Sequence, residues 1–201
     1  MKLITKEDYH RIIAESRQPY MDKYLSMYST LLGGIVTDPT LMQIPLDDHL
    51  VHRGDGVFEV FYCISGAMFN LDAHMDRLER SAATLRIEMP FERAELIELI
   101  KETIRAGGER ESLVRLFLSR GPGSFGVNPY DCIKSQLYIV ISRPGPDFMD
   151  IHPEGARVMT SSIPVKPGMF ATIKSCNYLP NVMMRLETVV TSLILVFHWD
   201  S

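Results

Sequence analysis

Residues 47–71 read DDHLVHRGDGVFEVFYCISGAMFNL. Val57, Phe58, Val60, Phe61, Tyr62 and Ile64 crowd β-branched and aromatic side chains into one short run. Those types suit a pleated, half-buried surface, so a strand is predicted over 57–64. Ser65-Gly66 offers a turn and 67–71 returns, which completes a hairpin. The period then changes. Asp72 fits an N-cap, and in AHMDRLERSAATLRI (73–87) the residues Met75, Leu78, Ala82 and Leu85 recur at three- and four-residue steps. That spacing draws the apolar stripe of an amphipathic helix. His74, Arg77 and Ser81 share a neighbouring face. A hairpin feeding directly into a helix of this kind places the chain in the mixed α/β (α+β) class.

The pattern continues in both directions. After Pro90, FERAELIELIKETIRAGG (91–108) predicts a second helix with Leu96, Ile97, Ile100 and Ile104 inward, and Gly107-Gly108 ends it. SLVRLFLSRG (112–121) and QLYIVIS (136–142) read as strands separated by the loop GPGSFGVNPYD (121–131). Upstream, Tyr9, Ile12, Ile13 and Tyr20 predict a helix over 5–25, and MYSTLLGGIVTD (27–38) predicts a strand or hairpin broken at Gly33-Gly34. RPGPDFMDIHPEG (143–155) is rich in Pro and Gly and marks a boundary between an N-terminal α/β domain, 1–145, and the opening of a second domain, 155–201. Beyond it, ARVMTSSIPV (156–165) predicts a strand. FATIK (170–174) carries Lys174 to a strand end, and Pro180 suits the first turn of a helix continued by NVMMRLETVV (181–190).

Composition narrows the function classes. The 201 residues are 46% apolar and 23% charged, an ordinary globular balance. A net charge of −4 with scattered cations speaks against nucleic acid as a partner. The longest apolar run, around SLILVF (192–197), is far shorter than a membrane span. Three cysteines, Cys63, Cys132 and Cys176, form no CxxC pair; a reducing, cytoplasmic setting is expected, with neither a disulfide framework nor a zinc site. MKLITKEDYHRIIAESRQ (1–18) is too polar for a signal peptide. Arg53-Gly54-Asp55 spells an adhesion tripeptide, but nothing in such a chain gives it that setting.

Lys174 is the residue with the most chemistry to explain. A lysine beside Met169, Phe170 and Ala171 can lose part of its proton affinity through burial, which frees a neutral nitrogen to attack a carbonyl. It can equally extend its stem over apolar neighbours and leave its ammonium in water. Arg77 has the planar fork that pairs with a dianion, and is otherwise an ordinary solvated helix residue. Arg120, at a strand end, suits a carboxylate or a structural ion pair. GPGSFG (121–126) could hold an anion through its backbone but lacks the GK[ST] ending of a nucleotide loop.

Four segments, taken together, resemble one family. VMTSSIPVKPGMFATIKSCNYLPN (158–181) resembles the lysine region of the class IV pyridoxal-phosphate enzymes, the family of D-amino-acid transaminases, branched-chain aminotransferases and aminodeoxychorismate lyases. HRGDGVFEV (52–60), LDAHMDRLERSA (71–82) and LVRLFLSRGPG (113–123) resemble the family's strand entry, its His-x-x-Arg-Leu helix and its strand ending in Ser-Arg-Gly, in the same order. The resemblance implies a two-domain class IV aminotransferase-like fold with pyridoxal 5'-phosphate as cofactor. It implies that Lys174 is the covalent anchor and proton carrier, and that Arg77 grips the cofactor phosphate with His74 in support. The resemblance implies that Phe58 is an aromatic wall for the substrate and that Arg120 binds the substrate carboxylate, a structural ion pair being its equal alternative; Tyr178 and Asn181 line the pocket or open the following helix, and Glu59 turns away or pairs structurally. In relatives the 121–126 region is a mobile loop on the substrate side.

The implied reaction exchanges an amino group between an amino acid, D or branched-chain, and a 2-keto acid. The lyase reaction, releasing pyruvate from aminodeoxychorismate, is the alternative on the same scaffold. A homodimer is implied as well. The resemblance fades after Arg185-Leu186-Glu187, so an incomplete, truncated C-terminal domain is expected, lacking the glutamate that pairs with the pyridine nitrogen. An inactive remnant, or a partner of a full-length homologue, is therefore a third expectation. The run 189–197 is expected to aggregate if exposed.

Overall fold

The computed structural model describes residues 1–190 and 195–197. Helix α1 (Lys6–Glu15), strands β1 (Tyr24–Ser29) and β2 (Gly34–Val36), helix α2 (His49–Arg53), strands β3 (Gly56–Ile64) and β4 (Ala67–Met68), helices α3 (Leu71–Thr84) and α4 (Arg93–Gly107), and strands β5 (Glu111–Ser119) and β6 (Gln136–Ser142) follow one another. The six strands make one sheet in the order β2-β1-β6-β5-β3-β4, with all neighbours antiparallel. Short hairpins join β1 to β2 and β3 to β4, the other neighbours meet through longer connections, that between β3 and β5 carrying α3 and α4, and both helices cover one face of the sheet.

Alternation along the strands decides which face is covered. Val57, Glu59, Phe61 and Cys63 of β3 point to the same side as Val114, Leu116 and Leu118 of β5 and Leu137, Ile139 and Ile141 of β6, and all are buried. Their register makes cross-strand rows such as Phe61–Val114–Ile141 and Val57–Leu118–Leu137. Onto this face α3 lays Met75, Leu78 and Ala82, and α4 lays Leu96 and Ile100. Each fully buried side chain of this size contributes about 1.5–3 kcal/mol relative to exposure. The hairpin between β3 and β4 turns through Ser65 and Gly66, at φ 52° and 84°, the left-handed pair whose twist matches the flanking strands.

Two expectations near the helices shift. Helix α1 stops at Glu15, a short 3-10 turn occupies Pro19–Lys23, and Tyr24 already lies in β1. Proline lacks the N–H a helix needs and forces its predecessor out of helical space; Gln18 sits at φ −116°, ψ 151°. Helix α3 begins at Leu71 with Asn70 as its N-cap at φ 49°, so Asp72 falls in the first turn, where its charge still favours the helix dipole.

After β6 come α5 (Phe148–Ile151), β7 (Val158–Thr160), α6 (Gly168–Ala171), α7 (Leu179–Val190) and β8 (Leu195–Phe197). β7 and β8 pair in parallel as a separate two-stranded sheet. The strand expected over 156–165 is reduced to three residues, because Ser161 and Ser162 turn to bond Glu187 and Pro164 has no N–H to give. FATIK is not a strand: Pro167 O accepts from Phe170 N and Ala171 N, which winds that stretch into α6, and Lys174 follows it. The run 189–197 lies outside the residues whose side chains are described. Among the described residues no helix is long and apolar enough to cross a membrane.

Candidate functional site

The entry to β3 places the lysine. Gly54 closes α2 at φ +64°, and a Cβ there would stand 3.2 Å from the Cα of Asn177. At Gly56 a Cβ would meet Leu50 Cδ1 at 2.6 Å and Leu118 O at 2.8 Å. Both positions need glycine, one for the turn and the other for close approach. The backbone freed by these contacts pairs with the lysine segment. Phe58 N donates to Lys174 O at 3.0 Å, Cys176 N donates to Gly56 O at 2.8 Å, and Val57 and Ser175 form an antiparallel bridge. The chain around Lys174 is thus stitched to the first residues of a core strand.

Lys174 is half-buried, and its Nζ stands 4.1 Å from the centroid of the Phe58 ring. It also makes a long 3.4 Å contact with Tyr178 Oη. Phe58 meets the Tyr178 ring edge-on at 5.0 Å and stacks on Phe117 at 6.0 Å. An ammonium over an aromatic face gains about 0.5–2 kcal/mol, depending on how far it is desolvated. The nitrogen opens into a cleft of about 440 Å³ lined also by Arg77, Lys166, Tyr178 and Asn181. That volume lies in the range of roughly 300–1,000 Å³ usual for small-molecule sites.

Arg77 is aimed by a buried carboxylate. Its Nε donates to Glu59 Oε1 and its Nη2 to Glu59 Oε2, both at 2.6 Å. Glu59 is fully buried on the helix-facing side of β3. His74, one turn before Arg77 on α3, contributes a third hydrogen bond, Nδ1 to Glu59 Oε2 at 2.7 Å. The bidentate bond to Glu59 raises the Arg77 pKa above the ordinary guanidinium value. Two nitrogens of the fork are committed; Nη1 has no protein partner among the described residues and Arg77 lines the cleft. The arrangement can present one guanidinium N–H pair to an anion while Glu59 and His74 hold its direction.

The structure brings Lys174, Tyr178, Asn181 and Arg77 to one cleft, with Phe58 packed against Lys174 and Tyr178 and His74 behind Arg77. Arg120 is elsewhere. Its Nε and Nη2 grip Asp55 at 2.5 and 3.1 Å, Nη2 also reaches Leu85 O at 2.9 Å, and Nη1 reaches Arg86 O at 3.2 Å. It ties the β3 entry to the end of α3 and does not line the Lys174 cleft. The 121–126 loop is bound to α2, with Arg53 donating to Gly126 O at 3.1 Å and to Phe125 O, and His49 Nε2 meeting Ser124 O at 3.1 Å.

Two residues of the site escape a sequence reading. Glu59 is expected there to turn away from the pocket or pair structurally; it does pair, and the residue it pairs with is Arg77, the one arginine among the described residues that line the cleft. Lys166 receives no role, although it lines the same cleft. Its Nζ donates to Asn177 O at 2.7 Å and lies 5.2 Å from the Tyr178 ring centroid. Burial, then the nearby Cys176 and Lys174, set its pKa, with a net displacement below the usual lysine value. The available signal is the flanking pair Pro164 and Pro167, which stiffens the backbone on either side. Beside these cations the Cys176 thiol is pushed up to about 12 by burial and stays protonated at neutral pH.

With this geometry in view, comparisons with known proteins are specific. The family described as amino-transferase class IV matches residues 56–193. The chain is 45% identical over 165 residues to a chloroplastic D-amino-acid transaminase of Arabidopsis thaliana, covering 82% of this chain and 43% of that protein. It is 33% identical over 158 residues to a putative branched-chain-amino-acid aminotransferase of Methanocaldococcus jannaschii, covering 78% and 54%. Among solved structures, a T.th. branched-chain amino acid aminotransferase holding pyridoxamine 5'-phosphate superposes with a TM-score of 0.77 at 28% identity, over 89% of this chain and 60% of that one. A 4-amino-4-deoxychorismate lyase of Pseudomonas aeruginosa shares the fold, with a TM-score of 0.69 at 20% identity over 87% and 61%. The chain spans about half the length of the curated relatives it matches.

Proposed function

Because the chain belongs to the class IV aminotransferase family, we propose that it binds pyridoxal 5'-phosphate and moves an amino group between an amino acid and a 2-keto acid. The observation that carries this reading is Lys174 Nζ held over the Phe58 ring in a cleft that Arg77 also faces. The residues present fit the cofactor: a primary amine for its aldehyde, a guanidinium nitrogen for its phosphate, and an aromatic wall for its ring. No carboxylate is among the described lining residues.

When bound, the cofactor supplies a conjugated ring that accepts the electron pair released as the substrate loses its α-proton. The rest falls to this chain. Lys174 Nζ is the covalent anchor and, once free, the base that takes the α-proton and returns it. Phe58 and Tyr178 keep one side of that nitrogen away from water, and Phe117 backs Phe58. Arg77 Nη1 would hold the phosphate, while Glu59 and His74 hold Arg77. We assign residues 155–201 to the opening of the cofactor-carrying domain, a division supported by the separate β7–β8 sheet.

Identity to the Arabidopsis transaminase supports D-amino acids as substrates, with branched-chain amino acids as the other class. A homodimer is supported by the uncovered face of the six-stranded sheet, where Met27, Leu113, Phe117 and Val140 border an open depression of about 600 Å³. The free thiols of Cys63, Cys132 and Cys176 support a reducing, cytoplasmic location.

The test adds pyridoxal phosphate to the purified protein, reduces with borohydride and maps the labelled peptide. A pyridoxyl group on Lys174, absent from Lys174→Ala, is expected. An unlabelled Lys174, or the same visible absorbance in the variant, refutes the reading. Supplying D-alanine, L-leucine or aminodeoxychorismate in parallel separates transamination of either class from pyruvate release.

A further inference from the structure

The cleft holds a third cation that neither anchoring nor phosphate binding uses. Resting on the reading above, we infer that Lys166 Nζ is the group that pairs with the carboxylate of the amino acid or keto acid substrate.

Elimination and placement both lead there. Arg120, the strand-end arginine, has its donors occupied by Asp55 and two carbonyls and does not line the cleft. Arg77 spends two nitrogens on Glu59 and turns the remaining one to the phosphate. The Lys174 nitrogen is committed to the covalent bond. Among the described residues Lys166 gives one hydrogen bond, to Asn177 O at 2.7 Å, and an ammonium has three donors. Its Nζ and that of Lys174 lie 5.2 and 5.7 Å from the centroid of one ring, Tyr178, and both lysines line the one cleft.

The side chain is held for the task. Pro164 and Pro167 restrict its backbone, and Pro167 caps α6. Upstream, Glu187 of α7 accepts from Ser161 Oγ at 2.5 Å, from Ser162 N at 3.2 Å and from Ser162 Oγ, which ties the loop to α7. Lys166 is half-buried, its pKa is lowered chiefly by that partial burial, and no carboxylate among the described lining residues answers it. A ligand carboxylate supplies the missing charge.

Calorimetric titration tests this with pentanoate, an unreactive carboxylate, and pentanamide, its neutral counterpart, on the purified chain without added cofactor. Lys166→Met and Lys166→Gln are expected to weaken pentanoate roughly tenfold or more, with Lys166→Arg close to wild type. Pentanamide is expected to bind weakly and alike to all four proteins. Equal pentanoate affinity in wild type and both neutral variants, no measurable binding by wild type, or a parallel fall for pentanamide overturns the inference. Borohydride labelling at Lys174, run on the same proteins, is expected to be unaffected by Lys166→Met. Its loss in wild type sinks the transaminase reading, while the titration decides Lys166 independently.

Discussion

Replacing Glu59 by Gln removes the charge that holds the Arg77 fork and leaves the shape intact. Glu59 accepts three hydrogen bonds, at 2.6, 2.6 and 2.7 Å, and is fully buried. An amide in its place keeps one acceptor and sets its NH2 against Arg77 Nη2 and His74 Nδ1. A hydrogen bond to a charged group is worth about 1.5–3 kcal/mol net, and two are lost or weakened. The Arg77 side chain is 40% exposed, so water recovers part of the loss at that end, and a buried charge no longer needs to be desolvated. A destabilisation of about 2–4 kcal/mol follows. Urea unfolding followed by circular dichroism reads it as a lower midpoint at constant slope. Arg77→Met alone strands the carboxylate in the core and is expected to cost about 3–5 kcal/mol. The double variant is expected to cost less than the two singles added, by about 1 kcal/mol or more. A Glu59→Gln protein within about 0.5 kcal/mol of wild type, with additive effects in the cycle, refutes the idea that this triad is a coupled unit.

Other perturbations test neighbouring parts of the site. Gly56→Ala drives a methyl into Leu50 Cδ1 and Leu118 O, so a loss of about 1–3 kcal/mol is expected by thermal unfolding, with weaker labelling of Lys174 because Gly56 O no longer seats Cys176 N. Hydrogen bonds from Ser161, then Ser162, hold the Glu187 carboxyl below its reference value of 4.5. A depressed folded-state pKa stabilises above the unfolded value and fails as pH falls through the folded one. Amide exchange at Ser162 is therefore expected to accelerate below about pH 4.5 in wild type, and to be fast and pH-insensitive, once corrected for intrinsic exchange, in Glu187→Gln. The Cys176 thiol, raised by burial to about 12, is expected to react more slowly with iodoacetamide at pH 8 in the folded protein than once urea unfolds it; equal rates in the two states would refute a raised thiol pKa.

The elements that local pattern dictates were legible. The stripe Met75, Leu78, Ala82 needs only the helical period, and the turn at Ser65 and Gly66 needs only residues that tolerate positive φ. Lys174 stood out because one amine beside apolar neighbours is chemically conspicuous and because the segment carries a family's pattern. FATIK became helix and turn through local bonds, Pro167 O accepting from Phe170 and Ala171, against the strand its apolar residues suggested; what no window could contain is that Lys174 met β3 across more than a hundred residues of chain. The cations show the division most clearly. Arg77, Arg120 and Lys166 are equally charged in the sequence, and their types alone allow any of them to meet an anion. Only the fold brings Glu59 to Arg77, Asp55 to Arg120 and Asn177 O to Lys166, and a cation's availability depends on which of its donors the folded chain has already used.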